Sequence, residues 1–244
     1  MNWMKAAQGI EFWFKFHQVV GKSDLIIEDT IKYPLIDYLI ADGDDTIRNI
    51  KLEEYHPIFP SKEVDLISKD ESGLLNYCIE FKLTSPQSLS KKERQRVIDD
   101  LLRLHYIHQK YKCPCYLIVA GKSKDFLTEF HSIYSRTPGQ RGRPKKKRSS
   151  SKSKISLTKP AGFYADKLLS FNLNAPGSFI EISSETDVTY NSHYENFRNT
   201  YDADFTGNLA LPNHICTNLE YITRIEEEDT IGEIPAMVGI WRVL

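Results

Sequence analysis

Cysteine and long apolar runs are both scarce in this chain. Four cysteines in 244 residues are too few and too unevenly spaced for a disulfide-bonded scaffold. No apolar run reaches the roughly 18 residues that a membrane helix needs. Glu11 and Lys15 interrupt the apolar patch near the first residue, so a secretory signal is not expected either. These absences predict a cytoplasmic protein in a reducing compartment, with no membrane partner.

The chain as a whole has almost no net charge, but one segment is strongly basic. Lys and Arg total 32 against 33 Asp and Glu, which gives a net charge of −1. The segment 141–154, RGRPKKKRSSSKSK, carries eight basic residues and no acidic one, so the other residues together carry −9. Basic charge concentrated in this way is typical of a segment that meets a polyanion while the body of the protein stays soluble.

The spacing of apolar residues switches between helical and strand periods, which predicts an α/β fold. Pro34 should bend or break the first helix near Tyr33. The strands at 63–69 and 75–84 are joined by the turn DESG, and Ser90 with Glu93 fits a capping box. The predicted elements are, in order, a helix at 24–41, strands at 46–55, 63–69 and 75–84, a helix at 91–111, a strand at 115–121 and a helix at 123–134.

The strand at 75–84 has the cleanest pattern in the chain. Its apolar residues alternate with a second set that shares the opposite face, namely Asn76, Cys78, Glu80, Lys82 and Thr84. Glu80 and Lys82, two apart, therefore point to the same side of the sheet. A hairpin would bring Asp65 beside them, so two carboxylates and an ammonium should converge.

That group of side chains suits phosphodiester hydrolysis. Two carboxylates bind a hard ion such as Mg²⁺, which can polarise a phosphoryl oxygen and lower the pKa of a bound water. An ammonium nearby can orient the water or offset negative charge in the transition state. We expect the carboxylates of Asp65 and Glu80 to lie close enough to share one ion, with Lys82 on the same side. Glu80 buried against the helix at 91–111, together with Phe81 in the site, would contradict this.

The residues EVDLI at 63–67, followed by IEFK at 79–82, resemble the PD-(D/E)XK nuclease superfamily. The resemblance covers about residues 24–121 and implies a restriction endonuclease-like αβββαβ core with a mixed central sheet. It implies that Asp65 and Glu80 bind Mg²⁺ or Mn²⁺ and that Lys82 positions or activates water. Many members add a glutamate from the first helix, for which Glu28 is the candidate. Val64 stands where the superfamily pattern has proline.

The predicted elements and the composition of the basic segment divide the chain into three regions. These are a nuclease core with N-terminal helices at 1–136, a flexible basic loop at 137–154, and an α+β C-terminal region at 155–244 with strands at 179–184 and in the final MVGIWRVL. The C-terminal region should pack on the core, bind substrate, or form an interface with a second copy or a partner protein. The expected activity is cleavage of nucleic acid, DNA rather than RNA, in phage defence, restriction or mobile-element processing.

Two alternatives to the nuclease stay open. The chain can be a nuclease-like module that binds nucleic acid without cutting it, or a structural subunit of a larger complex. Glu80 and Lys82 can also belong to an amphipathic hairpin with a solvated charged face. An intact set of Asp65, Glu80 and Lys82 favours the nuclease.

The basic segment is the predicted nucleic-acid contact. Arg141-Gly142-Arg143-Pro144 resembles the core of an AT-hook, although attraction to phosphates is a stronger expectation than a choice of bases, and a solvated loop or a nuclear signal has the same composition. The residues expected to bind nucleic acid are Arg141, Arg143, Lys145, Lys146, Lys147 and Arg148.

Other polar clusters favour structural interpretations. Cys113 and Cys115 indicate the start of a strand rather than a zinc site, because the chain has no second cysteine pair. His105 and His108 are interpreted as packing or solvated residues. The acidic clusters at 42–45 and 226–229 are interpreted as turns, and docking of the basic segment on the second is the alternative. Glu63, two residues before Asp65, is a further candidate for support of the metal.

Overall fold

In a computed structural model, the chain forms an α/β protein with a mixed sheet, as predicted. The structure describes residues 1–41, 48–84, 91–130, 179–183, 188–205, 210–223 and 236–244. The helices are α1 (Trp3–Val19), α2 (Lys32–Ala41), α3 (Lys91–Tyr111), α4 (Ser123–Phe130) and α5 (Val188–Tyr201). The strands are β1 (Ile50–Tyr55), β2 (Glu63–Lys69), β3 (Leu75–Thr84), β4 (Cys115–Gly121), β5 (Phe179–Ser183), β6 (His214–Ile222) and β7 (Met237–Val243).

The seven strands lie in one sheet in the order β1-β2-β3-β4-β7-β6-β5. Strands β3 and β4 are parallel, and α3 supplies the crossover between them. The other neighbouring pairs are antiparallel. Every residue of β4 is buried, which agrees with its continuous apolar sequence and its central place.

Helices cover both faces of the sheet. One face packs on α1 and α2 and includes Tyr77, Ile79 and Phe81 of β3. The opposite face packs on α3, α4 and α5 and includes Cys78 of the same strand. The alternation of β3 therefore places its apolar set under α1 and α2, and leaves Glu80 and Lys82 on the side of α3.

The hairpin between β2 and β3 fixes the register that the site depends on. The Asp70 carboxylate accepts hydrogen bonds from the backbone N–H groups of Ser72 and Leu74, both at 2.9 Å, and Gly73 adopts a φ of +82° that suits glycine. Leu66 then pairs with Ile79, and continuing this register by one residue puts Asp65 opposite Glu80. A slip of one residue would place Asp65 opposite Ile79 or Phe81, and the two carboxyls would then point to opposite faces of the sheet.

The predicted helix at 24–41 is wrong in its first half. Residues Ser23–Leu25 and Glu28–Ile31 form short 3-10 turns, and α2 begins at Lys32. The hydroxyl of Thr30 donates to the backbone carbonyl of Leu25 at 2.6 Å, a local bond that competes with helix formation. Pro34 falls in the first turn of α2, where its missing N–H costs nothing. Glu28 therefore lies on a 3-10 turn rather than on a helix.

The other predicted elements agree closely with the structure. The predicted strands at 63–69, 75–84 and 115–121 and the helix at 91–111 match β2, β3, β4 and α3, and the two strands predicted near the C-terminus are β5 and β7. The first strand begins later than predicted, at Ile50. Ser90, the basic loop at 137–154 and the acidic clusters at 42–45 and 226–229 lie outside the described residues. Of the helices that the structure describes, each is too short or too polar to cross a membrane.

Candidate active site

Strands β2 and β3 separate at the predicted site, and Asp65 occupies the point of separation. The paired register of the two strands ends at Leu66 and Ile79. Beyond it, the Asp65 carboxylate accepts a hydrogen bond from the backbone N–H of Phe81 at 2.7 Å. The side chain therefore replaces a backbone partner in the ladder, which holds the carboxylate against β3.

Glu80 lies at the bottom of the site, under α3. It is 2 % exposed, and its Oε1 atom accepts a hydrogen bond from Arg103 Nη2 at 3.0 Å. Asp65 lies opposite Glu80 when the register of β2 and β3 is continued by one residue, and its carboxylate accepts a hydrogen bond from the N–H of the next residue of β3, Phe81. The structure thus brings the two predicted carboxyls together. Glu80 is buried against α3, while Phe81 lies on the opposite face of the sheet, outside the site.

Lys82 faces the same side as Glu80 and is held by two further carboxylates. Its Nζ atom lies 3.3 Å from Glu28 Oε1 and 2.9 Å from Asp100 Oδ2. The other Glu28 oxygen accepts a hydrogen bond from the backbone N–H of Leu83 at 3.1 Å. Glu28 thereby joins the group from its 3-10 turn. Its side chain is 39 % exposed against 17 % for Lys82, so Glu28 lies at the solvent side of the group.

Three further residues, which the sequence did not reveal, complete the group. Lys32 Nζ lies 3.0 Å from Asp65 Oδ1 and also pairs with Glu53. Asp100 on α3 bridges the cations of Lys82 and Arg103. For Asp100 and Arg103 the sequence does hold a signal. Both fall on the apolar stripe of α3 formed by residues 97, 101 and 104, and charged residues on a buried face need partners. No such pattern in the sequence points to Lys32.

Four carboxyls therefore share the site with three cations, and their pKa values diverge. Burial and then the neighbouring Asp100 carboxylate raise the pKa of Glu80 well above its usual range. Burial also raises the pKa of Glu28. Burial alone would raise the pKa of Asp65 as well, but the ammonium groups of Lys82 and Lys32 and the Phe81 N–H hold it below its ordinary value.

Lys82 keeps its proton in this environment. Burial alone would lower the pKa of a lysine, but the carboxylates of Asp100 and Glu28 outweigh burial and raise the pKa of Lys82. A protonated lysine cannot accept a proton, although it can orient a water molecule or offset negative charge. The structure therefore favours positioning or charge stabilisation over proton abstraction for this residue.

The donor set has the chemistry that a hard divalent cation prefers, but its carboxylates are not gathered around one point: among the described residues, no trio of Asp, Glu or His has its ligand atoms within 4.8 Å of one another. Asp65, Glu80 and Glu28 offer carboxylate oxygens from three different elements, and Mg²⁺ takes one or two carboxylates together with water. The partial exposure of Glu28 gives water access to the group. Crowding of carboxyls with raised pKa values disfavours their joint ionisation, and a divalent cation would relieve that repulsion.

Other predicted residues stand apart from this group. Glu63 is exposed at the start of β2. His105 Nδ1 lies 3.1 Å from the Leu244 carbonyl oxygen, and His108 Nδ1 lies 2.9 Å from that of Cys113, so each ring contacts backbone. The six basic residues predicted to bind nucleic acid, Arg141, Arg143, Lys145, Lys146, Lys147 and Arg148, lie outside the described residues.

Comparisons of the chain with protein-family models, with curated proteins and with solved structures gave no match. The resemblance to the PD-(D/E)XK superfamily rests on Asp65, Glu80 and Lys82 and on the elements that hold them.

Proposed function

We propose that the chain is a metal-dependent nuclease with a restriction endonuclease-like core that hydrolyses phosphodiester bonds, in DNA rather than RNA. The observation that carries this proposal is the position of the Asp65 carboxylate. It falls opposite Glu80 when the strand register is continued, and it accepts a hydrogen bond from the N–H of Phe81, between Glu80 and Lys82 on β3. The order helix, β1, β2, β3, α3, β4, with β3 and β4 parallel, agrees with the αβββαβ core that the resemblance implies.

Each residue of the site has a separate role in this proposal. Asp65 and Glu80 hold Mg²⁺ or Mn²⁺, and Glu28 adds a third carboxylate. When bound, such an ion polarises the phosphoryl oxygen and lowers the pKa of water. Lys82, as an ammonium, orients the attacking water and offsets the charge that develops on the phosphate.

Arg103 and Lys32 are positioning residues. Arg103 holds Glu80, and Lys32 holds Asp65 Oδ1 while the Phe81 N–H holds Oδ2. Fixed carboxylates lose little conformational freedom when a metal binds, which strengthens binding. The basic segment at 141–148, with Arg141, Arg143, Lys145, Lys146, Lys147 and Arg148, would hold the polyanion near the site.

The test is cleavage by the full chain. Plasmid, linear duplex DNA, single-stranded DNA and RNA are each incubated with Mg²⁺, with Mn²⁺ and with EDTA. We expect metal-dependent cleavage that Asp65→Asn and Glu80→Gln each reduce on the order of 1000-fold, because metal-assisted charge stabilisation is worth several kcal/mol. Glu71→Gln, on the exposed turn of the same hairpin, is the matched control and should cut at the wild-type rate. Equal rates for all four proteins would refute the site.

A non-cleaving binding module is the second candidate, and one observation favours it. Asp65 and Glu80 each have a cationic partner in the protein itself, with Lys32 3.0 Å from Asp65 and Arg103 3.0 Å from Glu80. Thermal unfolding distinguishes the two candidates, because a ligand that binds the folded state raises the midpoint. Mg²⁺ should raise the midpoint of the wild type and of Glu71→Gln but not that of Asp65→Asn. Binding of DNA without a response to Mg²⁺ or cleavage would favour the module.

A further inference from the structure

Three of the four cysteines meet in the interior. Cys78 comes from β3, Cys115 is the first residue of β4, and Cys113 lies two residues before β4. Their Sγ atoms all lie within 4.8 Å of one another, and none of the three residues is more than 4 % exposed. Cys216 lies on β6 and is only partly buried. We call Cys78, Cys113 and Cys115 the thiol cluster.

The backbone holds the thiol cluster in place. The parallel register of β3 and β4 sets Cys78 beside Cys115, and the N–H of Cys78 donates to the Pro114 carbonyl at 3.0 Å. The thiol of Cys115 donates to the Cys113 carbonyl at 3.6 Å. The sheet and the short segment that leads into β4 therefore fix the three Cβ atoms. Binding of an ion would require only rotation of the cysteine side chains.

We propose that the thiol cluster binds a thiophilic divalent ion of the zinc class. A zinc ion binds sulfur at about 2.3 Å, so three sulfurs around it stand about 3.8 Å apart in a tetrahedron. Because the Sγ atoms lie within 4.8 Å of one another, each pair would have to approach by at most about 1 Å to reach this distance. Three thiolates fill three positions, and water fills the fourth, as in zinc sites that keep one position open.

Donor chemistry separates this site from the carboxylates nearby. Thiolates select soft and borderline ions, whereas carboxylates and water select Mg²⁺ and Mn²⁺. Three buried thiols can also pack as small apolar groups. The convergence of three sulfurs to within 4.8 Å of one another, from β3, β4 and the residues just before β4, goes beyond what packing needs. It supplies a third ligand beside Cys113 and Cys115. The ion would tie β3 to β4 two residues before Glu80. This inference does not depend on the proposed nuclease activity.

The first test measures metal in the full-length protein. The wild type, Cys78→Ala, Cys115→Ala and Cys216→Ala are produced in zinc-supplemented medium and purified under reducing conditions, and zinc is counted by elemental mass spectrometry. We expect about one zinc ion per chain in the wild type and in the matched control Cys216→Ala. Loss of a thiolate ligand should reduce the zinc content of the other two variants at least about tenfold. Equal zinc in Cys78→Ala and the wild type would overturn the proposal.

A second test covers the case in which the variants fail to fold. Metal-free wild type is titrated with Co²⁺ in excess Mg²⁺, and the near-ultraviolet absorption of thiolate-to-cobalt charge transfer is recorded. We expect the band to saturate at one ion per chain and to disappear when Zn²⁺ is added. A wild-type protein that shows neither the band nor bound zinc would overturn the proposal whether or not the variants fold.

Discussion

Glu80 is a buried carboxyl, only 2 % exposed, whose surroundings oppose its ionisation. Its carboxyl lies beside those of Asp65 and Asp100, and Arg103 compensates only part of that repulsion. A buried charge in such surroundings lowers stability unless its partners offset the loss of hydration. Under the proposed function this crowding has a use, because carboxyls that repel one another favour binding of a cation.

We predict that Glu80→Gln stabilises the protein at neutral pH while it removes activity. The amide keeps a carbonyl oxygen for Arg103 and removes the buried charge, so the free energy of unfolding should rise by about 1 kcal/mol. A carboxyl with a raised folded-state pKa stabilises the folded state while it is protonated. That contribution is complete below the unfolded-state pKa of about 4.3 and is lost as the pH rises through the folded-state pKa.

The pH dependence supplies the decisive measurement for Glu80. Urea unfolding of the wild type and of Glu80→Gln is compared at pH 8 and at pH 5 without divalent ions. The advantage of the variant should be larger at pH 8 and should shrink at pH 5, where the wild-type carboxyl approaches the neutral state. Glu71→Gln, on the exposed turn, should match the wild type at both values. A variant less stable than the wild type at pH 8 would contradict the raised pKa of Glu80.

Side chains of the site differ in how far the sequence predicts them. Glu80 and Lys82 share a face because β3 alternates, and Asp65 joins them because the turn at 70–73 sets the register. Asp100 and Arg103 come from a helix whose position over the sheet is decided by packing, which the apolar period does not encode. Because they lie on the buried stripe of α3, the sequence predicts that they have charged or polar partners, but not which residues those partners are.

At the scale of elements, the strands were predicted better than the connections between them. Strand β3 has unbroken alternation and β4 has an unbroken apolar run, so their bounds follow from the sequence. Residues 23–31 have helical apolar spacing, but local hydrogen bonds of Thr30 divert them into 3-10 turns. The place of β7 between β4 and β6 results from long-range pairing, which the periodicity of one segment cannot reveal.

We predict opposite effects for two glycine-to-alanine substitutions in different elements. Gly239 on β7 lies under the ring of Trp241, and an added Cβ would overlap that ring and come within 3.0 Å of Phe126 Cζ. Both rings are fully or almost fully buried, so Gly239→Ala should cost about 1 to 3 kcal/mol of stability through overpacking. Gly9 in α1 has room for a Cβ, with the Pro34 carbonyl oxygen at 3.7 Å.

Gly9→Ala is therefore the matched control for this pair. Alanine favours a helix interior over glycine by about 1 kcal/mol, so this variant should be as stable as the wild type or more stable. Urea denaturation with the tryptophan fluorescence as readout measures both proteins. Wild-type stability for Gly239→Ala would show that β7 and α4 can separate at Trp241, and would contradict the packing described here.

Charge is distributed unevenly over the whole molecule. The segment 141–154 carries eight positive charges, whereas the remaining residues carry −9. An acidic body repels a polyanion at long range. Under the proposed function, the basic segment would bring nucleic acid to the carboxylate site, and binding and cleavage should therefore respond differently to salt.

We predict that deletion of residues 139–154 weakens nucleic-acid binding and flattens its dependence on salt, while slow metal-dependent cleavage remains at low salt. Each duplex phosphate neutralised contributes about −0.9 to the log–log slope of affinity against salt, so a segment with several phosphate contacts sets most of that slope. Replacement of Ser149, Ser150 and Ser151 by glycine is the matched control, because it alters the same segment without changing its charge. Binding is measured over a salt series, and cleavage is assayed at saturating DNA.

Equal slopes for the wild type and the deletion would show that the segment does not contact phosphates. Complete loss of cleavage at saturation would show that it takes part in the reaction, since Asp65, Glu80 and Lys82 are held by β2 and β3 without it.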